Sequence, residues 1–345
     1  MKVGLTGFAG SGKTTVFAAL TGLHPDPGDR RPAMGTIKVP DPRVDFLAGV
    51  YKPKKTTYAE VTFVDFPPAR DAQKRAVLDQ EMVTALRDAD ALVEVVRGFP
   101  DLTGAAPRPV EDIGDFESEL VLADLGQVEK RIERCRKEKG KEREVALLTR
   151  LQAHLDAGRP LRILELTADE RTELAGFAFL SLRPLLVVLN VAEGEVAAPV
   201  PASVAECARA AGAEAMVLSA QVEAEVAELD AGDRAAFLAD LGLTESARDR
   251  FIRASYALLD LISFLTSGED ECRAWPVRRG TPARQAAGRI HSDIERGFIR
   301  AEVIAYDDFV QYPSEAKCRE SGKLRLEGKD YVVQDGDIVH VRFAV

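Results

Sequence analysis

Lys13 and Thr14 close the run Gly7-Phe8-Ala9-Gly10-Ser11-Gly12-Lys13-Thr14, which meets the spacing G-x-x-x-x-G-K-[ST] at every position. Residue types in this order suit the grip of a polyphosphate. Glycines let the main chain approach the anion with no Cβ in the way, so successive amides and the positive end of the following helix face the negative charge. The lysine reaches the β- and γ-phosphates, and the neighbouring hydroxyl is a ligand for Mg²⁺. Gly10, Ser11, Gly12, Lys13, Thr14 and Thr15 are therefore candidate nucleotide-binding residues, with Thr14 also a candidate metal ligand. The flanks support this. Val3-Gly4-Leu5 is an apolar strand-like run before the loop, and Thr15-Val16-Phe17-Ala18-Ala19-Leu20 opens a helix after it. A glycine-rich turn that matches by chance would not need both.

The elements that must hold such a loop are visible as apolar runs at Tyr58 to Phe66, Ala91 to Val96, Pro184 to Asn190 and Ala215 to Leu218. They alternate with helical patterns, which predicts an α/β fold: a mostly parallel sheet with helices on both faces. With 345 residues the chain exceeds what one core usually organises. Four cysteines, Cys135, Cys207, Cys272 and Cys318, show no C-x-x-C spacing, which argues against a zinc site or a disulfide framework. No apolar run reaches ~18 residues and the N-terminus opens directly on the first strand, so neither a membrane span nor a signal peptide is expected and a cytoplasmic location is. The net charge of -10 argues against nucleic-acid binding by the surface as a whole. Any such contact must be local.

Residues 115–182 interrupt the α/β pattern. Val121, Leu125, Val128, Ile132 and Cys135 follow the four-three spacing of a coiled-coil seam, Gly140 breaks it, and Val145, Leu148, Leu151 and Leu155 form a second stripe. This predicts an antiparallel helical hairpin inserted between residues 1–114 and 183–262 of a nucleotide-binding domain. Residues 127–143 carry eight Lys or Arg against four Glu. That basic tip reads equally as an RNA or ribosome surface and as a solvated coil end. From about residue 263 to 345 short alternating strands, Phe298 to Val303, Lys329 to Val333 and Ile338 to Phe343, are separated by turn signals such as Gln334-Asp335-Gly336-Asp337. A separate small domain of strands around one helix is expected there.

Here the residues become specific. Arg273-Ala274-Trp275, Ala287-Gly288-Arg289-Ile290-His291-Ser292-Asp293, Arg296-Gly297-Phe298-Ile299-Arg300-Ala301-Glu302-Val303 and Glu327 to Asp337 resemble the ubiquitin-like TGS domain of the YchF family of Obg-like ATPases. Val39-Pro40-Asp41-Pro42-Arg43, Lys52-Pro53-Lys54-Lys55 and Ala123 to Arg131 resemble that family too, and the match spans nearly the whole chain in the family's domain order. The resemblance implies a translation-associated P-loop NTPase of the TRAFAC class, with a G domain carrying a helical arm and a C-terminal β-grasp domain. It implies ATP with Mg²⁺ as ligand and the ribosome or RNA as partner, through the basic hairpin and the TGS domain.

GTPases of that class read guanine with N-K-x-D, whereas this chain has Asn190-Val191-Ala192-Glu193. Glu193 is longer than the guanine-reading aspartate and Val191 replaces the lysine that lies over the base. Loss of guanine readout follows, and similar segments in the family go with a preference for ATP. Ser219-Ala220-Gln221 resembles the second base-side loop, so Asn190, Val191, Glu193, Ser219 and Ala220 join the candidate nucleotide-binding residues. Asp65 stands where the class has the D-x-x-G aspartate that holds Mg²⁺ through water, which makes it a second candidate metal residue. The glycine position of that motif falls on Pro68, which has no N-H to offer a γ-phosphate, and the glycine-rich run after it is replaced by Ala69 to Arg75. Asp29 falls nearest the place of the switch threonine. Arg70 or Lys74 would suit stabilisation of γ-phosphate charge or merely start a helix. No residue is assigned as catalytic base, so slow turnover is expected. Two function classes stay open: a slow Mg²⁺-dependent ATPase, and an adaptor that holds nucleotide but hydrolyses little. A GTP-binding protein is a third.

Overall fold

The computed structural model describes residues 1–26, 31–66, 78 and 80–344. Pro68, Arg70, Lys74 and Asp29 lie outside the described residues. The described residues form twelve strands: β1 (Lys2–Thr6), β2 (Ala33–Val39), β3 (Lys55–Thr57), β4 (Ala59–Asp65), β5 (Ala91–Arg97), β6 (Leu185–Asn190), β7 (Glu214–Leu218), β8 (Leu261–Thr266), β9 (Glu271–Arg278), β10 (Phe298–Ala305), β11 (Arg325–Glu327) and β12 (Asp337–Phe343). The helices used below are α1 (Lys13–Thr21), α2 (Pro42–Tyr51), α3 (Gln80–Leu86), α4 (Pro109–Cys135), α5 (Glu142–Asp156), α6 (Ala168–Leu174), α7 (Ala202–Ala210) and α8 (Ala220–Glu228). The chain divides into two units, Met1–Ile37 with Thr62–Ser255, and Lys38–Val61 with Tyr256–Val345.

The first unit holds a sheet of order β2-β4-β1-β5-β6-β7, in which β1 pairs parallel with β4 and β5, and β6 parallel with β5 and β7. Strands covered on both faces need apolar side chains at consecutive positions, and Leu185-Leu186-Val187-Val188-Leu189 of β6 is an unbroken run of that kind. On one face Leu92, Val96, Val187 and Leu189 pack under Leu86 of α3, Ile113, Phe116 and Leu120 of α4, and Val204 and Ala208 of α7.

The expected hairpin is present as α4 and α5. Its first helix starts six residues earlier than position 115, at Pro109, where a proline costs no hydrogen bond and Glu111 and Asp112 meet the positive helix end. Val121, Val128 and Ile132 are buried against Leu147, Leu148, Leu151 and Leu155, with Leu125 partly covered. Leu147 joins the seam and Val145 sits at its edge. One polar residue interrupts it. Asp124 is fully buried and accepts hydrogen bonds from Leu180 N at 2.9 Å, Ser181 N at 2.7 Å and Ser181 Oγ at 2.7 Å. Burial pushes its carboxyl pKa up while these donors pull it back. The chain beyond the arm is thereby pinned to the middle of α4.

The second unit holds a sheet of order β11-β10-β12-β8-β9-β3. A central parallel contact, β12 with β8, is flanked by antiparallel β10 and β9, and the helix Ala283–Ile290 covers the face formed by Phe264, Val277, Ala301, Val303 and Val339. This is the expected β-grasp core, with two differences. Lys329 to Val333 is not a strand, because its backbone bonds go to the start of the covering helix: Ala283 N donates to Tyr331 O and Val333 N to Thr281 O. In its place β11 pairs with β10. Residues 38–61, read from sequence as part of the nucleotide domain, belong to this second unit, because β3 pairs parallel with Glu271 to Arg273 of β9. Arg43 of α2 is held by Asp41 and reaches Asp335 at 2.9 Å, and Tyr51 stacks on Phe309.

Asp124→Ala leaves three donors without a partner, so it is expected to lower the stability of the first unit by about 3 kcal/mol, with Asp124→Asn losing less. Urea unfolding followed by a probe in the arm reads this directly. A loss below about 1 kcal/mol for the alanine variant would show that the pin is dispensable.

Candidate functional site

The parallel sheet brings four separate loop segments to one edge. Leu5 of β1 stands in register with Asp65 of β4, Arg97 of β5 with Asn190 of β6, and Asn190 with Leu218 of β7. The loops that leave the carboxyl ends of β1, β4, β6 and β7 therefore emerge together, which is where open α/β sheets bind ligands.

The glycine loop leaves β1 through Gly7 at φ 143° and turns into α1 through Gly12 at φ 83°, left-handed values that side chains disfavour. Gly12 has a second reason to be glycine, since a Cβ there would overlap Asn190 Nδ2. Gly10, Thr14 and Thr15 are exposed, while Ser11 and Lys13 are buried. Lys13 Nζ donates to Asp65 Oδ1 at 2.7 Å and to the carbonyl of Phe66. Thr14 Oγ1 donates to Asp65 Oδ2 at 2.9 Å. One carboxylate thus holds both the loop's cation and its hydroxyl. The sequence pointed to Asp65 as a metal residue. It gave no sign of the Lys13 contact, and a backbone carbonyl such as that of Phe66 carries no sequence signal at all.

Asn190 is buried and acts as a tie between loops. Its Nδ2 donates to Ser11 O at 3.0 Å, and its Oδ1 accepts from Ala220 N at 3.0 Å. Its own carbonyl accepts from Gly98 N at 2.7 Å. Ser219 is buried and caps α8 through Val222 N. Val191 turns into the apolar cluster under α4 and α7 and contributes packing there, not a surface for a base. Glu193 is exposed at the start of a short turn. The structure therefore brings Ser11, Asn190 and Ala220 into contact and groups Lys13 and Thr14 with Asp65, while it leaves Glu193 in solvent.

Beside Thr14 and Thr15 a cleft of about 310 Å³ runs between α1 and α8, lined further by Ala18, His24, Pro25, Ala224 and Glu228. Its volume is at the lower end for small-ligand pockets. Thr14 Oγ1 and the Asp65 carboxylate are hard oxygen donors close enough to share a divalent cation. No group of three or more His, Cys, Asp or Glu among the described residues is placed to hold a metal by itself. The two oxygen donors Thr14 Oγ1 and Asp65 fit Mg²⁺, which binds through one or two protein oxygens and takes its other ligands from phosphate and water.

A family model described as "Protein of unknown function (DUF933)", the YchF-GTPase C-terminal model, matches residues 261–344. The chain is 38% identical to "Ribosome-binding ATPase YchF" of Bacillus subtilis over all of both chains. It is 39% identical to the protein of the same name from Pasteurella multocida, covering all of this chain and 99% of that one. Among solved structures, the Schizosaccharomyces pombe YchF GTPase is matched with a TM-score of 0.86 at 28% identity, covering 99% of this chain and 97% of that one. With this identity carried over the full length of both chains, the protein belongs to the YchF family.

Proposed function

We propose that this protein binds ATP with Mg²⁺ at the Lys13, Thr14 and Asp65 cluster, hydrolyses it slowly, and acts on the ribosome in the cytoplasm. The cluster carries the proposal. A buried lysine, an exposed threonine and one carboxylate meet where a glycine loop opens a helix. When ATP enters, its β- and γ-phosphates compete with Asp65 for Lys13, and the freed carboxylate is then available with Thr14 Oγ1 to the cation. Held by Thr14 and Asp65, Mg²⁺ would supply charge neutralisation for the phosphates. Gly10, Ser11, Gly12 and Thr15 line the phosphate path, and Ser219 and Ala220 lie on the nucleoside side with Asn190 between them.

The names of the relatives disagree on the nucleotide, ATPase for the bacterial proteins and GTPase for the yeast one. The residues favour ATP. Asn190 spends both ends of its amide on protein partners, Val191 is buried where the lysine over a guanine would stand, and Glu193 is in solvent. None of them is arranged to pair the guanine edge, so guanine gains nothing over adenine. In the sequence, Pro68 stands at the glycine position of D-x-x-G and has no N-H to offer a γ-phosphate, which supports slow turnover.

The relatives are named ribosome-binding, and the arm tip suits that partner. Glu144 takes Arg131 at 2.6 Å and Lys141 at 2.9 Å, and these contacts hold its carboxyl down to about 2. Lys130, Arg134, Arg136, Lys137, Lys139 and Arg143 make no ion pair among the described residues. Six uncommitted cations at one end of a hairpin suit a polyanion such as ribosomal RNA.

Lys13→Ala is expected to weaken ATP binding by about 1.5 to 3 kcal/mol, the worth of a charge-assisted hydrogen bond to phosphate. Calorimetry on the folded variant measures it, and unchanged affinity would show that the loop is not the site. Wild-type protein should bind ATP at least as tightly as GTP. Asn190→Ala should weaken both together and leave their ratio unchanged, because Asn190 ties loops instead of reading a base. Clearly tighter GTP binding, or a variant that loses one nucleotide selectively, would contradict this assignment of Asn190.

A further inference from the structure

Strand β5 reads Ala91-Leu92-Val93-Glu94-Val95-Val96, with one carboxylate in an otherwise apolar run. Glu94 has no exposure, and neither of its carboxyl oxygens has a hydrogen-bond partner. By strand alternation it shares the face of Leu92 and Val96, which lies under Ile113, Phe116 and Leu120 of α4. In the sheet it stands between Thr6 of β1 and Val187 of β6. Glu94 thus sits directly beneath the root of the arm.

The groups around it are polar and incompletely matched. From α4 come Asp112 and Glu117, whose negative charge adds to burial in raising the Glu94 pKa well above the ordinary carboxylate value. From the segment after the arm comes Arg162, which opposes that rise. From α7 comes the Cys207 thiol, itself pushed up by burial and by the same two glutamates. Arg162 Nη1 is committed to Glu117 Oε2 at 2.6 Å and to Ala211 O at 3.1 Å. Arg162 Nη2, Glu117 Oε1 and Thr6 Oγ1 are buried without partners. A buried carboxylate with no donor is far costlier than a buried neutral carboxyl, so α4 can rest on Glu94 only while Glu94 carries its proton.

We propose that Glu94 is a proton-binding switch for the arm: α4 is seated on the sheet when Glu94 is protonated, and loss of that proton loosens the α4 root by drawing in water and the spare N-H of Arg162. The sign follows from linkage. A carboxyl whose pKa is raised in the seated state binds a proton that the open state releases, so opening grows easier as pH rises from the ordinary carboxylate range toward the raised value. Above that value it levels off.

Hydrogen exchange of the full-length protein between pH 5.5 and 8.5, corrected for the intrinsic pH dependence of exchange, tests this. Protection of the α4 root, residues 109–121, should fall as pH rises, by at most about tenfold per pH unit for one proton released. In Glu94→Gln the slope should vanish, and protection at the upper end should exceed that of wild type. Protection in α1, which carries no carboxyl, imidazole or thiol, should not depend on pH in either protein. A flat wild-type profile at the root, or the same slope in Glu94→Gln, would overturn the proposal. Should the glutamine variant fail to fold, carboxyl carbon NMR of wild-type protein labelled at glutamate decides the matter. The signal assigned to Glu94 titrating well above the ordinary carboxylate range supports the switch, and its titrating in the ordinary range overturns it.

Discussion

The site depends on one buried carboxylate placed between a cation and a hydroxyl. Asp65 holds Lys13 Nζ and Thr14 Oγ1 at once, with the Phe66 carbonyl as the lysine's second partner. An ammonium or a carboxylate buried alone would be strongly unfavourable, and each makes the other tolerable. In the proposed function the same placement makes the site responsive: phosphate oxygens would replace Asp65 as the partner of Lys13, and a divalent cation would replace the Thr14 hydroxyl at Asp65.

What allows this meeting is the parallel sheet. Because β4, β1, β5, β6 and β7 run the same way, every loop that matters leaves from the same edge. Register then decides which residues face one another across neighbouring loops. Asn190 converts that proximity into fixed geometry by tying Ser11 to Ala220, and the close approach of its amide requires that Gly12 lack a side chain. Ahead of the amino end of β6, Asp124 pins the chain after the arm to α4, so the arm has a defined root. Glu94 beneath that root is the counterexample: a polar group with no partner, where the packing is conditional.

Much of this was legible in the sequence. The glycine loop announces itself by spacing, and the strands β4 to β7 by their apolar runs, because both depend on local residue order. The hairpin was legible in its heptads. Other features depend on distant partners and were not. Three residues of β3 pairing with β9 move residues 38–61 into the second unit, and nothing in Lys55-Thr56-Thr57 signals it. Lys329 to Val333 alternates like a strand, yet its backbone is claimed by Thr281 and Ala283. Val191 reads as a base-side residue by position, but its side chain follows the hydrophobic effect into the core. Glu94 did leave a signal, a lone charge inside an apolar strand, and its weight appears only once α4 is seen to cover it.

In the proposed function Asp65 serves both Lys13 and the cation that arrives with ATP. The most direct test is the Mg²⁺ dependence of ATP affinity in wild-type protein and in Asp65→Asn, measured by calorimetry with and without the metal. Wild type should bind ATP more tightly when Mg²⁺ is present, and the asparagine variant should lose most of that gain while still folding and still binding the metal-free nucleotide. If Mg²⁺ leaves wild-type affinity unchanged, or if Asp65→Asn keeps the full Mg²⁺ effect, Asp65 does not hold the cation and the central claim fails.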